Sequence, residues 1–149
     1  MMYRSLFSVL LLLTTACASA GGPPPDLSDT RFERSLQIDL ASMTRTTSGL
    51  YYQDVREGQY EVVKAKQRVT VRYTGWLPNG TEVDKNEIEF RLGSGQVIRG
   101  WDIGVEGMRV GGVRKLVIPP ELGYRYREVG KIPAGSVLVF QVELVRVRD

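Results

Sequence analysis

Alternating apolar and polar residues predict β-strands in most of the second half of the chain. Residues 77–81, LPNGT, are typical of a hairpin turn, and short turns favour antiparallel pairing of the strands that they join. The pattern therefore predicts an antiparallel sheet of five to six strands. Its five clearest segments are residues 50–55, 67–73, 87–92, 113–118 and 137–147.

One stretch, residues 95–112, follows a helical period instead. It reads GQVIRGWDIGVEGMRVGG, and Trp101, Val105 and Met108 fall at i, i+4 and i+7 on one helix face. Six of its eighteen residues are glycine, which costs roughly 1 kcal/mol relative to alanine inside a helix. The apolar face of an antiparallel sheet needs a cover, and this helix is the best candidate for it. We therefore predict an α+β fold in which a curved sheet wraps around one short helix.

The first 47 residues have a different character. Residues 1–20 combine an early positive charge, an apolar core and small residues, which is typical of a signal peptide; the apolar run is too short for a permanent membrane span. Two cleavage positions are open. The run from Thr14 to Cys17 resembles a bacterial lipobox in which Cys17 is acylated, although Thr14 stands where leucine is usual; the alternative is cleavage after Ala20. Residues 21–47 are interpreted as a linker that contains one short helix near 30–43, followed by a domain at 48–149.

The amino-acid composition excludes several kinds of functional site. The chain has no histidine and a single cysteine, which excludes an intramolecular disulfide, most metal sites and nucleophiles that rely on a histidine base. We expect no metal and no cofactor. The net charge of +3, or +2 without Arg4, with acidic residues interleaved, gives little support to nucleic-acid binding. Five charged side chains are interpreted as solvated groups on the helix face and at strand ends: Asp102, Glu106, Arg109, Arg114 and Lys115.

Four segments stand in an order that is familiar as a set. They are VRYTGWLPNGTEVD (71–84), FRLGSGQVIRGWDIGVEGMRVGG (90–112), RKLVIPPELGY (114–124) and IPAGSVLVFQVEL (132–144). Together they closely resemble the FKBP-type peptidyl-prolyl cis-trans isomerases, the macrolide-binding immunophilins. The resemblance runs from about residue 48 to 148, and the N-terminal region is similar to that of bacterial members with an N-terminal extension.

The resemblance implies a pocket whose residues can be carried over by position. Tyr73 and Asp84 match a wall tyrosine and the aspartate beside it, and Trp101 matches the pocket floor, with one indole face left uncovered. Tyr124 matches the tyrosine whose hydroxyl reaches a bound carbonyl, and Phe140 matches an apolar wall. These five are the expected catalytic residues. The expected substrate-binding residues are Val83, Ile88, Phe90, Val97, Ile98 and Ile132. On this interpretation the glycines of the helix are close-approach and turn positions, with Gly104 and Gly107 packed against the sheet.

The chain also departs from the family pattern. Val83 stands where phenylalanine is frequent, and the segment between Asp84 and Phe90 is shorter than usual, so that Ile88 is the nearest equivalent of a second wall phenylalanine. Arg125 replaces a glycine, and we expect the backbone of that loop to differ.

The resemblance implies an enzyme that accelerates X-Pro rotation in proteins folding in a bacterial cell envelope. The expected partners are proline-containing unfolded proteins and macrolide inhibitors, and the protein would be a monomer that touches the membrane only through a lipid on Cys17. A soluble periplasmic or secreted form is the alternative location. The departures favour a second hypothesis, a proline-binding or chaperone module with weak or no isomerase activity. A third, an envelope protein whose sheet edge pairs with a partner, has no specific support.

Overall fold

The structure is a computed structural model, and it describes residues 26–149. The predicted signal peptide, with Cys17 and both cleavage positions, lies outside the described residues. Within residues 26–149, no helix is long and apolar enough to cross a membrane.

A six-stranded antiparallel sheet forms the body of the protein. Its order is β1-β2-β5-β6-β3-β4, and every neighbouring pair is antiparallel. The prediction of an antiparallel sheet with one short helix is confirmed, and the strand that the sequence pattern did not predict is the two-residue edge strand β1. The strands are β1 (Thr44–Arg45), β2 (Tyr51–Arg56), β3 (Arg68–Trp76), β4 (Glu82–Arg91), β5 (Val113–Ile118) and β6 (Leu138–Arg148).

The predicted hairpin joins β3 to β4. The turn has Gly80 in the left-handed region, at φ 87°, and the Asn79 side chain accepts a hydrogen bond from Thr81 N–H. Strand β4 begins five residues earlier than the alternation indicated, because the short segment after Asp84 continues as regular strand against β3. The register shifts once, opposite Val83, where Gly75 pairs with Asp84 and the next residue of β3 pairs with Glu82.

The helix α1 (Arg99–Val105) lies against one face of the sheet, and two of its glycines explain how closely it packs. A Cβ on Gly100 would lie 2.6 Å from Ile118 Cγ2, and one on Gly104 would lie 2.7 Å from Leu116 Cδ2. Both positions therefore require glycine for contact with β5. Gly107 was expected to pack in the same way, and this is wrong: it has φ 81° and no atom near its Cβ position. Its role is to turn the chain after the helix.

The opposite face of the sheet is covered by residues 26–43. These residues contain two 3-10 turns, Arg34–Leu36 and Leu40–Ser42, rather than the single short helix that was predicted. Their buried side chains Leu27 and Met43 form a second apolar cluster with Tyr51 and Val117 of the sheet. Because this cover lies on the outer side of β5, all six residues of β5 are buried.

The expectation that Arg114 and Lys115 are solvated is wrong, because β5 is covered on both faces. They are 8% and 9% exposed, respectively. Lys115 Nζ donates to Leu36 O at 2.7 Å, and burial lowers the pKa of its amine. Arg114 faces the helix side, where it pairs with Asp54 at 2.7 Å. Asp102, interpreted as a solvated group, is half-buried, and its carboxylate accepts the N–H groups of two residues in the loop before α1.

Candidate functional site

A cavity of about 410 Å³ opens between α1, the β3–β4 pair and the loop that follows β5. Five of its lining residues come from strands or from the helix, which fixes them to the sheet, and the others come from the loops before α1 and after β5. Eight of the residues expected from the sequence line the cavity: Tyr73, Asp84, Ile88, Val97, Ile98, Trp101, Tyr124 and Phe140.

Three aromatic rings pack edge to face at the base of this cavity. The ring centroids of Tyr73 and Trp101 are 4.6 Å apart, and those of Trp101 and Phe140 are 5.2 Å apart, with interplanar angles of 79° and 89°. Alternation along the strands brings Tyr73 and Phe140 to the helix side, where α1 supplies Trp101. Edge-to-face pairs of this kind are favourable beyond their burial, so the base is an apolar surface with a defined shape.

Trp101 forms the floor and is only 3% exposed. Its indole Nε1 is buried and has no hydrogen-bond partner among the described residues. A buried donor without a partner costs free energy, and this cost argues against an ordinary core role for the indole. The floor is held from behind by Phe90, whose ring centroid lies 5.9 Å from that of Trp101.

Tyr73 and Asp84 are joined by a short hydrogen bond on the wall of the cavity. The Tyr73 hydroxyl donates to Asp84 Oδ2 at 2.5 Å. Burial raises the pKa of Tyr73 strongly, and the hydrogen bond and the negative charge of Asp84 raise that pKa further. The hydroxyl therefore stays protonated as a donor, and the carboxylate stays fixed in orientation beside the aromatic base.

Tyr124 places a second hydroxyl at the cavity, from the loop after β5. Burial raises the pKa of Tyr124, the charge of Asp84 raises it further, and Arg127 acts in the opposite direction. On the facing side, the backbone N–H of Ile98 has no acceptor within residues 26–149. The cavity thus combines an apolar base with two donors on its rim that a bound peptide carbonyl can reach.

Three expected substrate-binding residues do not line the cavity. Phe90 and Ile132 are buried in the main core, and Val83 is partly buried against it. Phe90 lies behind Trp101, and Val83 falls at the register shift between β3 and β4, which separates it from Asp84 on the cavity wall. These residues support the walls of the cavity instead of forming its surface.

Four lining residues were missed: Gly95, Gln96, Gly123 and Arg127. The first two directly precede the Val97–Ile98 pair, and adjacency to that pair could have indicated them. Arg127 belongs to the same loop as Arg125, and sequence alone does not say which side chains of this loop reach the cavity. The backbone of this loop was expected to differ at Arg125. Arg125 has φ 55°, in the left-handed region that glycine favours.

No group of acidic or cysteine side chains within residues 26–149 is arranged to hold a metal ion. The side chains at the cavity are aromatic rings, aliphatic groups, two phenols, one amide and one ion of each sign. Such a set is suited to binding and orienting a partly apolar chain segment. It offers no activated nucleophile, because the hydroxyls at the cavity have no neighbouring base other than the Asp84 carboxylate.

Comparison with known proteins agrees with this geometry. The family model described as FKBP-type peptidyl-prolyl cis-trans isomerase matches residues 59–145. The "FK506-binding protein" of Neisseria meningitidis serogroup B is 48% identical over 108 residues, which are 68% of this chain and 98% of that protein. "FK506-binding protein 4" of Mycosarcoma maydis is 41% identical over 127 residues, which are 81% of this chain and 34% of that protein. The chain thus spans about a third of the length of the fungal relative.

A solved structure supports the same conclusion. The crystal structure of FkpA from Escherichia coli superimposes with a TM-score of 0.65 at 41% sequence identity. The match covers 71% of this chain and 51% of that one. The similarity therefore extends over more than two thirds of this chain.

Proposed function

The chain belongs to the family of FKBP-type peptidyl-prolyl cis-trans isomerases, and on that premise we propose that its cavity accelerates X-Pro rotation in proteins that fold in a bacterial cell envelope. The observation that carries the proposal is the aromatic base of Tyr73, Trp101 and Phe140, closed on one side by the hydrogen bond between Tyr73 and Asp84. Proline-containing segments of unfolded proteins are the proposed substrates.

The proposed mechanism requires binding groups only. Rotation about a peptide bond has a barrier of about 18–20 kcal/mol, which comes from amide resonance. In the twisted transition state this resonance is lost and the amide is less dipolar. An apolar, water-poor cavity therefore stabilises the transition state relative to the planar ground state, which lowers the barrier by differential binding.

Each rim group has a part in this mechanism. The proline ring would rest on Trp101, the hydroxyl of Tyr124 would donate to the carbonyl of the residue before the proline, and Ile98 N–H would hold a second carbonyl. Asp84 would keep Tyr73 in place and set the electrostatic field near the rotating carbonyl. Both donors hold and orient the bound peptide; because the carbonyl beside the rotating bond is less polar in the transition state, the lowering of the barrier comes from the apolar base and not from these hydrogen bonds.

The test is cis–trans exchange of a Leu-Pro peptide measured by NMR, with the protein present at substoichiometric concentration. We expect acceleration, and we expect Trp101→Phe to lower it roughly tenfold or more, because the smaller ring lies farther from Tyr73 and Phe140. The matched control is Trp76→Phe, since Trp76 does not line the cavity. Binding without faster exchange would refute the isomerase and leave a proline-binding module.

Macrolides of the FK506 class are the proposed inhibitors, because both relatives named above are FK506-binding proteins. A macrolide that occupies the cavity would stop the exchange of the Leu-Pro peptide. The Trp101→Phe variant should bind it more weakly. Inhibition that is equal in the wild type and in Trp101→Phe would contradict this assignment of the site.

We further propose that the protein is a monomer tethered to the membrane by a lipid on Cys17. The support is the position of the single cysteine directly after the apolar run that ends at Ala16. Labelling of cells with an alkyne fatty acid should mark the wild type and not Cys17→Ser. Labelling of neither, with a mature N-terminus at Gly21, would establish ordinary cleavage and a soluble periplasmic or secreted protein.

A further inference from the structure

We propose that Arg127 makes this cavity favour a carboxylate over an uncharged amide of the same shape on the residue before the proline. The inference rests on the proposed function, and it names the class of substrate. It concerns a residue that the sequence did not single out as part of the cavity, and it is carried by the position and the charge of that residue.

The loop between β5 and β6 holds Arg127 at the cavity. Arg127 N–H donates to Tyr124 O at 3.1 Å, and this turn brings both side chains to the same wall. Farther along, Val129 and Ile132 exchange backbone hydrogen bonds of 3.0 and 2.8 Å, and Gly135 N–H donates to Arg125 O at 2.6 Å. The backbone on both sides of Arg127 is therefore hydrogen-bonded, which holds its Cα at the cavity, while the side chain itself is exposed.

The two charged side chains at the cavity, Asp84 and Arg127, differ in whether they have a hydrogen-bond partner. Asp84 accepts the hydroxyl of Tyr73, so its carboxylate is engaged on the wall. Within residues 26–149, the guanidinium of Arg127 takes part in no hydrogen bond or ion pair, and its positive charge opposes the rise in the pKa of Tyr124. The free donors of an arginine form a fork that matches the two oxygens of a carboxylate.

The geometry of the proposed complex selects the position of that carboxylate. In the mechanism above, Tyr124 donates to the carbonyl of the residue before the proline. Arg127 lines the same wall as Tyr124, so the side chain of that residue is the nearest substrate group. A glutamate there can reach the guanidinium, whereas a glutamine of the same shape lacks the charge.

The loop also offers a matched control. Arg125 has the same charge and lies two residues away, but it does not line the cavity, and its Nε donates to Glu121 O at 3.3 Å. Replacing either arginine with glutamine removes one positive charge from the same exposed loop. A nonspecific effect of net charge would appear in both variants, whereas direct recognition would appear only in Arg127→Gln.

The experiment compares kcat/KM for Glu-Pro and Gln-Pro peptides by NMR exchange, with the full chain. We expect the wild type to favour Glu-Pro about threefold, the gain of one partly exposed ion pair. Arg127→Gln should bring the ratio to about one, Arg127→Glu should reverse it, and Arg127→Lys should restore part of it. Arg125→Gln should keep the wild-type ratio. Added salt should weaken the preference, because exposed charges are screened over about 10 Å at 0.1 M.

The outcomes separate this inference from the proposed function. Acceleration of the Gln-Pro peptide by the wild type tests the isomerase alone. If that peptide is accelerated but the wild type shows no preference for glutamate, the role of Arg127 is overturned and the isomerase stands. A preference that persists unchanged in Arg127→Gln, or that disappears equally in Arg125→Gln, also overturns it.

Discussion

Arg114 offers the sharpest test of how the helix is held under the cavity. Its guanidinium forms a two-point ion pair with Asp54, at 2.7 and 3.1 Å, and donates to Gly104 O at 3.0 Å and Glu106 O at 3.3 Å. It also lies 4.6 Å from the centre of the Tyr52 ring. One side chain from β5 thus satisfies carbonyls at the C-terminal end of α1, where the helix has no partners of its own. We expect Arg114→Met to keep the aliphatic volume and to lose all of these contacts.

The magnitude follows from the separate contacts. Hydrogen bonds to a charged group contribute about 1.5–3 kcal/mol when buried, and Gly104 O is a buried acceptor. The pair with Asp54 adds at most about 1 kcal/mol, because Asp54 is 37% exposed, and the ring contact adds about 1 kcal/mol. Relief from burying a charge offsets part of this sum. We therefore expect a loss of about 2–4 kcal/mol, which lowers Tm by roughly 10 °C in a domain of this size.

The assay is urea unfolding followed by tryptophan fluorescence, with calorimetry for Tm. The matched control is Arg72→Met on β3, whose ion pairs with Glu87 and Glu143 have the same 3.1 Å distance but leave Arg72 57% exposed. We expect that control to lose less than about 1 kcal/mol. Equal losses in the two variants would refute the view that Arg114 acts as a buried cap on α1.

Three further predictions concern the wall and the outer cover. Burial and Asp84 raise the pKa of Tyr73, so the stability that this tyrosine contributes is complete below its unfolded pKa of about 10 and is lost as pH rises above that value. The free energy of unfolding should therefore fall less steeply above about pH 10 in Tyr73→Phe than in the wild type. Equal slopes in the two proteins would contradict this. In Gly75→Ala, the new Cβ would lie 2.5 Å from Phe140 Cε1 and would displace the Phe140 ring from the cavity base. We expect kcat/KM to drop at least tenfold, with a stability loss of about 1–3 kcal/mol. Unchanged kcat/KM would show that the Phe140 ring keeps its place. Met43→Ala should cost about 2–3 kcal/mol with unchanged turnover in the exchange assay, and a parallel loss of activity would connect the outer cluster to the cavity.

The sequence pattern correctly predicted which strand side chains point into the main core, but it did not predict which segment packs on the second face of the sheet. Alternation correctly turned Val69, Val71 and Tyr73 inward, since side chains of a strand alternate between faces. It failed for Lys115, because that side chain lies on the second face of β5, and what covers that face is residues 26–43. Those residues fold as 3-10 turns, which lack a helical period. The apolar residues of this segment suggest that it packs on the domain, but their irregular spacing does not show which face of the sheet it covers.

The same limit applies to the candidate site. The order of the family motifs placed Tyr73, Asp84, Trp101 and Tyr124 at one cavity. The first three come from strands and the helix, whose positions the core fixes, and Tyr124 comes from the loop after β5. The order of the motifs could not separate Phe90, which lies behind the floor, from residues on its surface, because burial depth depends on ring orientation. It also could not find Arg127, whose direction is set by backbone hydrogen bonds of a loop.

The position of the floor depends on contacts outside the helix that carries it. An isolated helix shorter than about 12 residues is marginal in water, and α1 has seven residues and two interior glycines. Its N-terminal end is tied by Asp102, which accepts Gly93 N–H at 2.7 Å and Gly95 N–H at 3.0 Å. Its C-terminal end is tied by Arg114, and its inner face meets β5 where Gly100 and Gly104 have no Cβ. Three ties to the rest of the domain therefore fix Trp101 against Tyr73 and Phe140, and a change at any of them should reach the cavity through the tilt of the indole.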